Sequence, residues 1–144
     1  MSTTKTPLIF WIVSIIALLW NAFGCFQWFI EYGYYTNPAS RDELPEMMRD
    51  MYDYTPSWLY IVFAIAVVTG LIGSILLIMK KKVAVPVFLV SIIAIIAMDI
   101  HNLFLSGLLQ AKGPSILIMP LIVLLFAIFL YFFARHWRDK GLLV

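Results

Sequence analysis

Four long apolar segments dominate this sequence and limit what the chain can fold into. Each is about 20 residues long, the length at which a helix crosses the hydrocarbon core of a bilayer. Backbone groups inside hydrocarbon must hydrogen-bond to one another, which helices achieve, and the alternation expected of a membrane barrel is absent. We therefore predict an all-α, polytopic membrane protein with four transmembrane helices in a bundle, at residues 8–30, 58–79, 84–105 and 115–134.

The composition excludes the other common classes of protein. Hydrophobic residues make up 63% of the 144 residues and charged residues only 12%, whereas a soluble domain carries roughly a quarter charged residues. The length fits a single domain, residues 1–144. A single cysteine, Cys25, excludes an internal disulfide. The basic residues form no patch typical of nucleic-acid binding, so we expect no nucleic-acid partner.

The basic residues also predict how the chain is oriented. They are concentrated near the two termini and in the turn between the second and third segments, where seven of the ten lie: Lys5, Lys80, Lys81, Lys82, Arg135, Arg138 and Lys140. The positive-inside rule then predicts a multi-pass protein with both termini in the cytoplasm. Residues 31–57 become the external loop, within which residues 42–54 are predicted to form a short amphipathic helix.

Three stretches of the chain resemble a known group of proteins. They are LLWNAFGCFQW at residues 18–28, TGLIGSILLIMKKKVAVPVFLVS at residues 69–91, and KGLLV at residues 140–144. In these stretches the chain is similar to small, largely uncharacterised four-helix bacterial inner-membrane proteins that often carry the label "sugar transporter". The resemblance implies a four-helix fold and lends support to a role in transport.

Asp99 is the clearest candidate for a functional side chain. An aspartate within a membrane span costs roughly 2.5 to 3.5 kcal/mol at the centre, so it is a functional hypothesis by default. The first and third segments cross the membrane in the same direction, so residues at a similar number of helical turns from the start of each lie at similar depths. We therefore expect an intramembrane polar cluster of Asp99, Asn102, Asn21, Gln27, Glu31 and His101. Two interpretations stay open: polar groups that bond helices together, and a solvated cavity or ion site.

The sequence predicts neither a metal site nor a cofactor. His101 and His136 belong to opposite ends of the bundle, too far apart to hold a haem between them. A site built from His101, Asp99 and Glu31 has no ligand spacing typical of a metal centre. His101 is also two residues from Asp99, which places the two side chains on different helix faces.

The second segment carries a stripe of small residues. Ala66, Gly70 and Ser74 recur at intervals of four, and Gly73 lies beside them. Such a stripe lets the backbone of another helix approach closely. The pattern fits packing within one four-helix bundle and packing between protomers equally well. Packing between protomers is one reason to expect that the protein associates with itself.

These observations favour a non-catalytic membrane protein. The sequence has no nucleophile–base pair, Gly-rich phosphate loop or zinc motif, so we expect no enzyme. We expect the chain to associate with itself or to serve as a small subunit of a membrane complex, with the lipid bilayer and either a second copy or another membrane protein as partners. The alternative is an oligomeric transporter of a small solute, or an ion- or proton-coupled one, that uses the cluster around Asp99.

Overall fold

The computed structural model describes residues 6–46, 49, 56–102 and 118–144, which contain helices and turns and no strand. Three of the helices are long and apolar enough to cross a membrane, namely α1, α3 and α5, and α4 is a shorter apolar helix. The predicted all-α class is therefore confirmed for the described residues, and the apolar helices fit a membrane protein, while the number of four spans stays a prediction. The bounds are α1 Leu8–Thr36, α2 Pro38–Asp42, α3 Ser57–Ile78, α4 Ala84–Ile100 and α5 Ile118–Asp139.

The first helix is longer than the sequence predicted. It continues to Thr36, so residues 31–36 are helical and do not form the start of a loop. Asn37 ends the helix with its backbone N–H donating to the carbonyl of Gly33 at 3.0 Å, and Pro38 disfavours a helical conformation at the residue before it. The amphipathic helix predicted at residues 42–54 lies largely outside the described residues, and the short helix that follows α1 is α2.

The helices pack around α3 and α4, and large apolar side chains are found on the outside of the bundle as well as in its core. α3 packs against α1 and α4, and α4 packs against α5. Ser74 and Ser91 are buried, whereas Phe29 is 69% and Ile61 66% exposed. Large exposed apolar side chains on every long helix would be unfavourable in water but are favourable in lipid. In lipid, helices are held together by close packing and hydrogen bonds more than by the hydrophobic effect.

One end of the bundle is filled by an apolar core. This closed end consists of the start of α1, the turn at residues 79–83 and residues 140–144. Phe10 is fully buried there, with ring centroids 5.5 Å from Trp11, 6.0 Å from Phe133 and 5.9 Å from Trp137. Leu142 and Leu143 belong to the same cluster and are also buried. Aromatic rings at these separations attract one another beyond the area they bury.

Two helix ends build the corners of the closed end in the same way. After α3, Lys80 has φ 60° and its N–H donates to Leu77, while the Lys81 N–H donates to Leu76. After α5, Gly141 has φ 85°, and the N–H of Leu142 donates to the carbonyl of Trp137 at 3.0 Å. Both are Schellman motifs, in which a left-handed residue reverses the chain and satisfies the last carbonyls of the helix.

The second corner folds the end of the chain back onto the first. The Val144 N–H donates to the carbonyl of Lys80 at 2.8 Å, and the Lys80 ammonium lies 5.4 Å from the centre of the Trp11 ring. The start of α1, the turn at residues 79–83 and residues 140–144 thus lie together at one end of the bundle. These are the segments that the basic residues placed on one side of the membrane.

Candidate functional site

A cavity of about 610 Å³ lies between α1, α3, α4 and α5. Every one of these helices contributes to its wall, through side chains such as Trp20 of α1, Phe63 of α3, Ile95 of α4 and Phe126 of α5. The volume falls within the range of about 300–1,000 Å³ that holds small molecules in proteins. The cavity is therefore large enough for a ligand, and a single copy of the chain forms it.

The cavity is apolar toward the closed end. Phe88 and Leu130 line it and also belong to the closed-end core. On that side α1 approaches α5 through the rings of Trp20 and Phe126, whose centroids lie 5.3 Å apart. The packed core thus forms the floor of the cavity, and rings from three helices form its walls.

Polar side chains are concentrated at the opposite, open end, which we define by the end of α1, the start of α3 and the end of α4. Gln27, Glu31, Tyr60, Asp99 and Asn102 line the cavity there. The carboxyl groups therefore lie at the open end, whereas the deeper part is mainly apolar and aromatic, with Asn21 and Ser91 as its polar lining residues.

Contacts between helices fix the positions of these polar residues along the axis of the bundle. The Trp28 indole N–H donates to the carbonyl of Tyr60 at 2.8 Å, which fixes the end of α1 beside the start of α3. The His101 ring lies 5.2 Å from the ring of Trp58, which fixes the end of α4 beside the same turn of α3. Glu31 and Asp99 are each within one helical turn of these contacts, so the two carboxyl groups lie at the same end of the cavity.

Asp99 is the carboxyl group without a protein partner. It is half-buried in the cavity wall and makes no hydrogen bond or ion pair within the part of the chain that the structure describes. The described residues that line the cavity include no lysine, arginine or histidine. A carboxylate withdrawn from water without a cation is costly, and no basic side chain in the described lining of the cavity offsets that cost at Asp99.

The structure places Asn21 apart from this group, contrary to the expected single cluster. Its amide nitrogen donates to the Ser74 hydroxyl at 3.1 Å and to the carbonyl of Ala17 at 2.8 Å. Asn21 and Ser91 both face Gly70, and Ser91 precedes Asp99 by eight residues, about 12 Å of helical rise. Asn21 lines the deeper part of the cavity and bonds helices together, which was one of the two interpretations left open.

His101 also lies outside the polar group, because it does not line the cavity. Its ring is 9% exposed and packs edge-on against Trp58, and its Nδ1 has no hydrogen-bond partner among the described residues. The α-helix gives way to a π-helical turn at His101 and Asn102. Asp99 and His101 therefore face different surroundings, as their spacing predicted.

The small-residue stripe of α3 is used inside the bundle. Ala66 and Ser74 are buried, and Ala66 accepts a hydrogen bond from the Ser91 hydroxyl at 2.8 Å. A methyl group added at Gly70 would collide with the amide of Asn21, and one added at Gly73 would lie 2.9 Å from the Phe88 ring. Of the two uses that the sequence left open, the structure displays packing within one protomer.

Two features of the site were missed in the sequence. The aromatic wall combines Trp20 and Phe23 of α1 with Phe63 of α3 and Phe126 of α5, and helical spacing within one segment does not reveal which faces meet. The aromatic layer at the open end was also missed, although Trp28, Tyr32 and Tyr35 recur every three or four residues. Tyr35 lies 4.5 Å from Tyr60, ring centre to ring centre.

Within the described residues no three His, Cys, Asp or Glu side chains come together as a metal ion would require. Comparisons with protein families, with curated proteins and with solved structures find no match for this chain. Function is therefore inferred from the cavity and its side chains.

Proposed function

We propose that this protein is a non-catalytic carrier that holds a small amphipathic molecule in the cavity of a single protomer. The observation that carries the proposal is a cavity of about 610 Å³ with aromatic walls and a carboxylate end. Few hydrogen-bonding groups line the walls, which suits a ligand with an apolar body and one polar group. The resemblance to bacterial proteins that bear transporter labels supports the same role.

The proposal includes four spans in the cytoplasmic membrane of a bacterium. α4 supports a fourth span because it packs between α3 and α5 and exposes Leu89, Val90 and Ile93. The closed end carries the basic residues 80–82 and Arg135, so the positive-inside rule favours a cytoplasmic closed end and an external open end.

The proposal needs no second copy of the chain. Self-association through the small-residue stripe was one basis for expecting an oligomer or a subunit, but Ala66, Gly70, Gly73 and Ser74 pack within the protomer. The described side chains that line the cavity likewise all belong to one chain. Of the two functions expected from the sequence, we therefore favour the transport alternative, without the oligomer that was expected for it.

Binding of a neutral fluorescent probe tests this function. N-phenyl-1-naphthylamine should bind saturably to the protein in lipid nanodiscs, above its partition into empty nanodiscs. Val123→Trp and Phe23→Trp, which both add bulk to the cavity wall, should weaken that binding. Ile122→Trp adds similar bulk on the lipid-facing side and should leave it unchanged. Equal binding by all four proteins, or none above the empty nanodiscs, would rule out the proposed site.

The orientation is tested separately by thiol labelling in intact cells. In a Cys25→Ser background, Ser40→Cys should react with an impermeant reagent and Lys81→Cys should not, because only Ser40 lies beyond the open end. The reverse result would invert the topology.

A further inference from the structure

The charges around the cavity indicate which amphipathic molecules it accepts. Its described lining contains two carboxyl groups, Glu31 and Asp99, and no basic side chain. Asp99 has no hydrogen bond or ion pair within the described chain. In a site bounded by lipid, the repulsion of an anion and the attraction of a cation are both strengthened because little water screens them. The open end of the cavity is therefore selective for positive charge.

The walls next to the carboxylates favour the same sign of charge and add a requirement for shape. Trp20, Phe23, Phe63 and Phe126 present aromatic surface deeper in the cavity. Aromatic faces attract organic cations, and they also bury apolar groups of a ligand. A small hydrated metal ion would leave most of this volume unfilled, and in the described part of the chain no three His, Cys, Asp or Glu side chains come together to hold one. The walls therefore fit a bulky cation with an apolar body.

We propose that the cavity binds lipophilic organic monocations, such as ammonium or phosphonium ions that carry aromatic or alkyl groups. The cationic centre lies against Asp99 at the open end, and the apolar groups lie among the rings of Trp20, Phe63 and Phe126. This assignment rests on the proposed carrier function, because it specifies the ligand of the same cavity.

Two ions of the same shape and opposite charge can show whether binding depends on the charge of the ligand or only on its apolar surface. Tetraphenylphosphonium and tetraphenylborate should be titrated separately into the protein in nanodiscs of zwitterionic lipid, with empty nanodiscs subtracted. Tetraphenylphosphonium should bind saturably with one ion per chain, and tetraphenylborate should bind at least about tenfold more weakly. Equal binding of the two ions, or preference for the borate, would overturn the inference.

A carboxyl substitution then locates the charge. Asp99→Asn should weaken tetraphenylphosphonium binding about tenfold or more, since it removes the anionic partner and keeps the shape. Glu43→Gln is a matched control, because Glu43 is exposed and lies outside the cavity, and it should bind as the wild type does. Unchanged binding by Asp99→Asn would contradict the assignment. If that variant failed to fold, the wild-type comparison of the two ions would decide alone.

The two proposals fail in different ways. Binding of the neutral naphthylamine with no preference between phosphonium and borate would leave the carrier cavity intact and reject only its cation selectivity. Absence of binding by all three probes would reject the cavity as a ligand site altogether.

Discussion

The two ends of this bundle are built on opposite principles. The closed end buries Phe10, Leu142 and Leu143 in a ring-lined apolar core, and two Schellman corners fold the chain across it. The open end instead surrounds a cavity with carboxyl and amide groups. A bundle that needed only to pack would fill both ends alike. The contrast teaches that the closed end is held together by a packed core, whereas the open end leaves the Asp99 carboxyl group without a hydrogen bond or ion pair in the described chain.

The largest effect on stability should come from the core of the closed end. Phe10→Ala removes a fully buried ring and should lower the free energy of unfolding by about 3 kcal/mol. Phe26→Ala removes the same atoms from a side chain that is 59% exposed and should change it by less than about 0.5 kcal/mol. Unfolding in mixed micelles measures both. Similar losses would mean that the closed end is no more tightly packed than the lipid-facing surface.

Packing around the stripe should give the next largest effect. Gly70→Ala places a methyl group against the Asn21 amide, which two hydrogen bonds hold in place, and should cost about 2 kcal/mol. Gly33→Ala makes the same exchange where nothing lies within 4 Å, and should stabilise the helix by about 0.5 kcal/mol. Thermal unfolding of the pair checks the difference, and a tolerated Gly70→Ala would show that α1 and α3 are not in close contact.

Substitutions at the two Schellman corners of the closed end should change the free energy of unfolding by smaller and unequal amounts. Gly141→Ala puts a side chain on a residue with φ 85° and should cost about 1 kcal/mol. Lys80→Gly relieves a left-handed residue but loses the contact with Trp11, so its net effect should stay within about 0.5 kcal/mol. Stability measured in the same micelles tests both, and a neutral Gly141→Ala would count against the fold of residues 140–144.

The smallest effect concerns the polar residues that the structure separates. A double-mutant cycle of Asn21→Ala with Ser74→Ala should give a coupling energy of about 0.6 kcal/mol, typical of a hydrogen bond between membrane helices. The cycle of Asn21→Ala with Asp99→Asn should give none within error, because the two residues lie at different levels. A larger coupling in the second cycle would restore the single cluster expected from the sequence.

The sequence predicted the helices well because apolar length alone defines them. The predicted segment at residues 58–79 became α3, Ser57–Ile78. The end of α1 was missed because Glu31 ended the apolar run, yet an acidic residue does not end a helix. The helix continues to Thr36, and Tyr32 and Tyr35 pack on Tyr60.

The polar cluster was only partly predicted. The sequence allows the depth of a residue in the membrane to be counted only from the start of its own segment, and the segments do not start at the same depth. α1 begins closer to the closed end than α4 does, so Asn21 lies level with Ser91 and not with Asp99. The relative heights and rotations of helices depend on which side chains meet, as at Gly70 and Asn21, and one sequence does not reveal those pairs. A solvated cavity was one of the two interpretations that the sequence left open, but its position and its aromatic walls depend on the same pairings and could not be predicted.

Water access to the cavity tests the central contrast most directly. In a Cys25→Ser background, Gln27→Cys lies in the cavity wall, Phe26→Cys faces lipid and Phe10→Cys lies in the closed-end core. An impermeant thiol reagent added to intact cells should label Gln27→Cys and leave the other two unlabelled. Labelling of Phe10→Cys, or equal reaction of Phe26→Cys and Gln27→Cys, would contradict a bundle that is closed at one end and open at the other.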